Sequence, residues 1–275
     1  MHVNDWFQAI VLGVVQGLTE FLPVSSTAHI LVISKILGWN DPGAAFTAVT
    51  QIGTEFAVLI YFRGEIIHIL RTLIRWFYSS KVRGTADARL AWAVVWGSVP
   101  IAVFGLMFKN FIETEARNLW IVGTTLIVFG VILIIVERFE TSARRTTDLT
   151  IKNGLIMGFA QALALIPGVS RSGSTISAGI LFGLERRAAT RYAFLLAIPA
   201  VLGSGFLEAL SISEGPINWG PTIVATITAS IIGFGVIAGL LTYLQRHTFT
   251  AFGIYRIAIG SMILASVALG LLSAK

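Results

Sequence analysis

Two short segments of this 275-residue chain hold most of the side chains that could do chemistry, and a proline interrupts each. In the first, Gln16 and Glu20 lie one helical turn apart, which puts both on one face. Pro23 then stops that helix, and Ser25, Ser26, Thr27 and His29 follow. In the second, Pro167 and Gly168 precede Ser170, Arg171, Ser172 and Thr175. Ser25, Ser26 and Thr27 suit the cap of a new helix, whose unpaired amides and positive dipole end would point into the space the break lines. Ser170 is expected to repeat the device. Amides, hydroxyls and a guanidinium are all donors, so the combination predicts an oxyanion site, a phosphate above all. Glu20 with Gln16 offers ligands to a hard cation, and Glu20 with His29 a proton-transfer pair.

Each residue also has a blander reading. Serine and threonine in membrane helices often only hydrogen-bond to the preceding turn, which accounts for Thr27 and Ser34 taken alone. Arg171 resists that treatment, because an arginine at the centre of a membrane helix costs about 2.5 to 3.5 kcal/mol even on a mild insertion scale. Glu20 and Glu55 are the acidic residues deepest in apolar stretches, and either could serve merely as its counter-ion. Glu20 is read as functional from its neighbours; Glu55, with Gln51 one turn before it, is a secondary candidate. His2, His68 and His247 fall near the chain start or in loops and receive no role.

The elements that must position these residues are membrane helices. Hydrophobic residues make up 55% of the chain and charged ones 12%, and the mean hydropathy is strongly positive, a balance that no water-exposed surface of this size tolerates. Six apolar stretches approach the roughly 20 residues a span needs: 44 to 62, 89 to 108, 118 to 136, 192 to 210, 221 to 244 and 252 to 272. The start, Met1 to Phe7, carries Asp5 and no basic residue, so no cleaved signal is expected. With no cysteine, disulfides and thiolate metal sites are excluded. The isoelectric point near 10 reflects basic loops between apolar helices rather than a nucleic-acid patch.

The stretches 6 to 38 and 151 to 184 contain the two breaks, and their short arms predict re-entrant helical hairpins. An offset of 145 residues pairs Gly13 with Gly158, Gln16 with Gln161, Val24 with Val169, Ser25 with Ser170 and Gly38 with Gly183. Each hairpin precedes three spans. The chain therefore reads as one all-α integral membrane domain of two repeats, 1 to 150 and 151 to 275. An odd number of spans inverts the second repeat, which puts the shared site near the midplane with the two breaks touching.

Alternating the loops sends fifteen of the twenty Lys and Arg to one side, including Arg63, Arg71, Arg75, Lys81, Arg83, Arg246 and Arg256. Lys35, Lys109, Arg117 and Lys275 fall on the other. The richer side is cytoplasmic, so both termini and the first hairpin should face outward.

The run Gln16-Gly17-Leu18-Thr19-Glu20-Phe21-Leu22-Pro23-Val24-Ser25-Ser26-Thr27-Ala28-His29 and the run Pro167-Gly168-Val169-Ser170-Arg171-Ser172-Gly173 resemble the undecaprenyl-pyrophosphate phosphatases of the bacitracin-resistance type. The resemblance covers essentially the whole chain. It implies hydrolysis of undecaprenyl pyrophosphate to undecaprenyl phosphate and inorganic phosphate in the bacterial plasma membrane. That reaction recycles the lipid carrier of peptidoglycan synthesis and opposes bacitracin. By motif position the family's acidic pair falls on Gln16 and Glu20, its serine and histidine on Ser26 and His29, and its arginine motif on Ser170, Arg171, Ser172 and Thr175. Many relatives carry glutamate where this chain has Gln16, so Glu20 would carry more of the work.

On this reading Arg171 and the two helix starts hold the pyrophosphate, with the lipid tail left in the bilayer. Ser25, Thr27, Ser170, Ser172 and Thr175 bind it, and a divalent cation, Mg²⁺ or Ca²⁺, bridges it to Glu20 with help from Gln16. Ser26 is either nucleophile or ligand, and His29 activates Ser26 or a water, or protonates the leaving group. Hydrolysis is expected on the external face. The competing readings are a lipid flippase or secondary transporter using the same midplane site, and a scaffold. A homo-oligomer with a small interface is compatible with all of them.

Overall fold

The computed structural model describes residues 3–108, 111–112, 114–141, 143–211 and 218–274; His2, Lys109 and Lys275 lie outside the described residues. These residues are mainly helical, with no strand among them and one isolated bridge between Arg144 and Leu184. The helices are α1 (Val3–Thr19), α2 (Ser26–Ile36), α3 (Gly43–Tyr61), α4 (Arg63–Tyr78), α5 (Ala86–Met107), α6 (Leu119–Glu137), α7 (Ile151–Ala162), α8 (Arg171–Leu181), α9 (Arg186–Ser211), α10 (Trp219–Tyr243) and α11 (Thr250–Ala268). A single turn over Ser80–Arg83 separates α4 from α5.

Four of these, α5, α6, α10 and α11, are long and apolar enough to cross a membrane. The chain is a multi-pass helical membrane protein. Its outward faces carry Trp96, Val103, Ile135, Ile227, Ile231 and Met262, a density of exposed apolar side chains that lipid rather than water solvates. Of the other two expected stretches, 44 to 62 matches α3 to within one residue at each end and 192 to 210 falls within α9.

Lipid tails compete with apolar side chains for contact, so helices in a bilayer associate by close packing of small residues. Such seams run through the bundle. A Cβ on Gly13 would fall 2.5 Å from the Ala225 carbonyl oxygen, and one on Gly17 2.8 Å from that of Ala229, so α1 lies tight on α10. In the α7 and α5 seam, a Cβ on Gly154 would meet that of Ala93 at 2.6 Å. The antiparallel pair α6 and α11 closes through Gly130 against Gly253 and Gly123 against Gly260.

The backbone repeats at the spacing the residues suggested. Helices α2 and α8 are both 11 residues long and begin 145 positions apart. The two non-glycine residues with positive φ among those described, Ser25 (72°) and Ser170 (71°), are separated by the same interval, as are the positive-φ glycines Gly38 and Gly183.

Two loop assignments require correction. The segment after Arg63, expected as a cytoplasmic loop, is the amphipathic helix α4, with Ile69 and Thr72 buried and Ile67, Leu70, Ile74 and Phe77 exposed. Its arginines break up the apolar run that marks a span, while apolar residues still recur at three- and four-residue spacing. Arg256, counted among the basic cytoplasmic loops, instead lies in α11 and is 1% exposed.

Candidate active site

Glu20 follows the last turn of α1 and receives donors on both carboxylate oxygens. Gln16 Nε2 (2.8 Å) and Ser26 Oγ (2.5 Å) donate to Oε2, while Arg171 Nη2 (2.7 Å) donates to Oε1. Gln16 sits on the same face one turn earlier, fully buried, with its Oε1 left without a hydrogen-bond partner. Glu55, projecting from α3 and also fully buried, lies 3.8 Å from the same Arg171 nitrogen, and neither of its oxygens accepts a hydrogen bond. One guanidinium therefore faces two carboxylates, joining residues 151 positions apart in sequence.

Around this cluster the breaks are tied to each other. The Gly168 amide donates to Ser25 Oγ at 3.2 Å, and Ser172 Oγ donates to the Leu22 carbonyl at 3.1 Å. The Thr125 hydroxyl in α6 holds the Pro167 carbonyl at 2.7 Å. These cross-links hold Ser25 and Ser170 in left-handed backbone, a conformation costing on the order of 1–3 kcal/mol per non-glycine residue. Positive φ turns the chain sharply enough for α2 and α8 to start inside the protein, where their first amides have no intrahelical acceptor.

A cavity of about 620 Å³ opens over the cluster. Its polar end is lined by Glu20, Ser25, Ser26, Thr27, Gln51, Ser170 and Arg171; Val95, Val99, Leu106, Leu165, Pro199 and Val201 line the rest. Arg117 also reaches it, while its guanidinium holds Asp41 through two hydrogen bonds, at 2.6 and 2.9 Å. A charged head between Arg171 and the helix starts, with an apolar chain along the remainder, fits this division.

The remaining expected residues stand elsewhere. Ser172 bonds the Leu22 carbonyl, and Thr175 is 1% exposed with a hydroxyl that has no partner, so neither lines the cavity. Ser25, expected to cap α2, makes no cap bond because its hydroxyl is committed to Gly168, whereas Ser170 does cap α8 through the Gly173 amide at 3.2 Å.

His29 does not line the cavity either, and neither ring nitrogen bonds Ser26. Nδ1 lies 2.7 Å from the Ser25 carbonyl, which can only accept, so Nδ1 carries the proton of the neutral ring. Nε2 then accepts from the Tyr255 hydroxyl at 2.7 Å. Tyr255 and Arg256 are the residues that sequence reasoning passed over. The signal for Arg256 was present as a lone arginine inside the stretch 252 to 272.

Among the described residues, no group of three or more His, Cys, Asp or Glu is placed to hold a metal ion. The oxygens that suit a hard cation are those of Glu20, the unpartnered Oε1 of Gln16 and the Ser26 hydroxyl.

A family model described as Bacitracin resistance protein BacA matches residues 9–262. The undecaprenyl-diphosphatase of Nocardioides sp. is 50% identical over 272 residues, covering 98% of this chain and 99% of the relative. That of Renibacterium salmoninarum is 50% identical over 279 residues, with 98% and 99% covered, and that of Thermobifida fusca 50% identical over 267, with 97% and 91% covered. A match over nearly the full length, with both break motifs inside it, means that the chain belongs to the BacA family of bacitracin resistance proteins.

Proposed function

We propose that this protein is an undecaprenyl-diphosphatase: it hydrolyses undecaprenyl diphosphate to undecaprenyl phosphate and inorganic phosphate, returning the lipid carrier to cell-wall synthesis and opposing bacitracin. The observation that carries the residue assignment is the contact of Arg171 with Glu20 at 2.7 Å, at the polar end of a cavity whose other walls are mostly apolar.

The diphosphate enters between the starts of α2 and α8, and Arg171 exchanges part of its contact with Glu20 for phosphate oxygens. Ser26 Oγ, already 2.5 Å from Glu20, attacks the terminal phosphorus as Glu20 takes its proton. The bond from that phosphorus to the bridging oxygen breaks, and undecaprenyl phosphate leaves with the electron pair. Water then cleaves the phosphoserine, releasing phosphate and restoring the Ser26 hydroxyl. Direct attack by water, with Glu20 as base and Ser26 as ligand, gives the same products. His29, bonded on both sides, orients Ser25 and α2 in this scheme.

Arg171 already bonds the Glu20 carboxyl, so an incoming diphosphate, itself multiply negative, needs further positive charge. A divalent cation, Mg²⁺ or Ca²⁺, held by Glu20 and Gln16 Oε1 would supply it and polarise the phosphate oxygens.

The proposed architecture is six spans, α3 and α9 joining the four long apolar helices, with α1–α2 and α7–α8 as re-entrant hairpins in an inverted repeat. Reciprocal packing supports it: α1 lies on α10 in the other half, and α7 on α5. The cavity reaches Arg117, on the side poorer in positive charge, which supports opening to the external face with external termini in the plasma membrane.

The test is phosphate release from undecaprenyl diphosphate by detergent-solubilised protein. Arg171→Ala and Glu20→Ala, still folded, are expected to lose about 10³-fold in kcat, and a chelator to abolish a turnover that Mg²⁺ or Ca²⁺ restores. Near-normal turnover in both variants would refute these assignments. The reciprocal packing also fits a flippase, and lipid translocation in vesicles without phosphate release would decide for that reading.

A further inference from the structure

We propose that Arg256 is a positioning residue that clamps the two breaks together from the side away from the substrate. It sits near the start of α11, 1% exposed, with no carboxylate among the described residues within ion-pair distance. Its guanidinium bonds main-chain carbonyls instead. Nη1 donates to Pro23 O at 3.1 Å in the first break, and Nη2 donates to Gly168 O and Val169 O, both at 2.8 Å, in the second. Nε points at Leu126 O of α6 from 3.5 Å. One rigid, planar cation thus spans residues 23 and 168–169, which lie within two residues of the positive-φ positions Ser25 and Ser170.

An anion site built from main-chain amides has an inherent weakness, because every amide comes with a carbonyl whose negative end repels the ligand if the peptide rotates. Arg256 binds three carbonyls beside the site and thereby holds their peptides in place. Gly173 in the second motif leaves room for it: a Cβ there would lie 2.8 Å from Arg256 Nη1 and 3.3 Å from the Ser170 side chain, so a larger residue would push the guanidinium from its place. Lysine, with a single nitrogen, cannot span both breaks in the same way.

The inference rests on the reading of the cavity as a phosphatase site, and the measurement separates the two. Arg256→Lys and Gly173→Ala are compared with the parent by phosphate release from undecaprenyl diphosphate and by amide hydrogen exchange. Both variants are expected to lower kcat at least 30-fold with KM within threefold. Exchange should rise together over 20–27 and 166–173 and stay unchanged in α5 and α10. A kcat within threefold of the parent in folded Arg256→Lys overturns the clamp, as does exchange that rises throughout the protein. Should Arg256→Lys fail to fold, Gly173→Ala decides, since it displaces the guanidinium without removing it; full activity in that variant overturns the proposal. A parent protein that releases no phosphate would instead sink the phosphatase reading.

Discussion

At the scale of single residues, the proposed site separates groups placed to meet a substrate from groups that hold those groups. Glu20, Ser26 and Arg171 share one hydrogen-bond cluster at the cavity, whereas His29 stands behind it, bonded to the Ser25 carbonyl and Tyr255. Ser26→Ala is therefore expected to reduce kcat by about 10²–10⁴-fold, the range for a lost nucleophile or proton-transfer partner. His29→Ala should cost no more than about tenfold, because it loosens α2 without removing a reacting atom. Single-turnover phosphate release from the two variants measures the difference, and equal losses would return His29 to the chemistry. Gln16 is fully buried behind this cluster: its amide nitrogen donates to Glu20, and its Oε1 has no hydrogen-bond partner.

At the scale of elements, small-residue seams bring the backbones close enough for the breaks to meet. Gly130 packs against the Gly253 carbonyl, 2.9 Å from where its Cβ would be, and this α6 and α11 contact places Arg256 and Tyr255 under the site. Gly130→Leu should destabilise the protein by about 1–3 kcal/mol, the cost of overpacking, visible as a lower thermal midpoint in detergent with activity falling in parallel. On the side poorer in positive charge, Asp41 joins the loop before α3 to Arg117. Burial alone would raise the Asp41 pKa, but hydrogen bonding and charge from Arg117, the Gly43 amide and Lys35 outweigh it and hold the carboxyl below its ordinary 3.8. A carboxyl depressed in the folded state stabilises it at pH values above the unfolded pKa, and that contribution disappears as pH falls through the folded one. Thermal midpoints recorded from pH 6 to about 3 should therefore fall more steeply in the parent than in Arg117→Gln.

At the scale of the whole molecule, the proposed inversion is what lets two unlike motifs build one site. Under the 145-residue offset, Glu20 corresponds to Leu165 and Ser26 to Arg171. One half supplies the carboxylate and hydroxyl, and the other the guanidinium. The orientation is testable because the chain has no cysteine of its own. Thr47→Cys, at the cavity, should react in intact cells with a membrane-impermeant thiol reagent, and Thr146→Cys only after the membrane is opened. The opposite pattern would reverse the topology.

Membrane class, the positions of the breaks and family membership were legible in the sequence, because each depends on neighbouring residues: summed hydropathy, a proline among small polar residues, and two uninterrupted motifs. The pairing of Glu20 with Arg171 was legible only through the inference that the breaks meet. Tertiary structure decided the rest. His29 finds Tyr255 from 226 residues away, and Arg256 reaches Pro23 from 233. Ser25 leaves the cap its type suggests because a distant amide, that of Gly168, competes for its hydroxyl. Arg256 was counted with the loops because a positive charge near a span's end ordinarily faces water, and only the carbonyls turned inward at the two breaks provide a buried alternative.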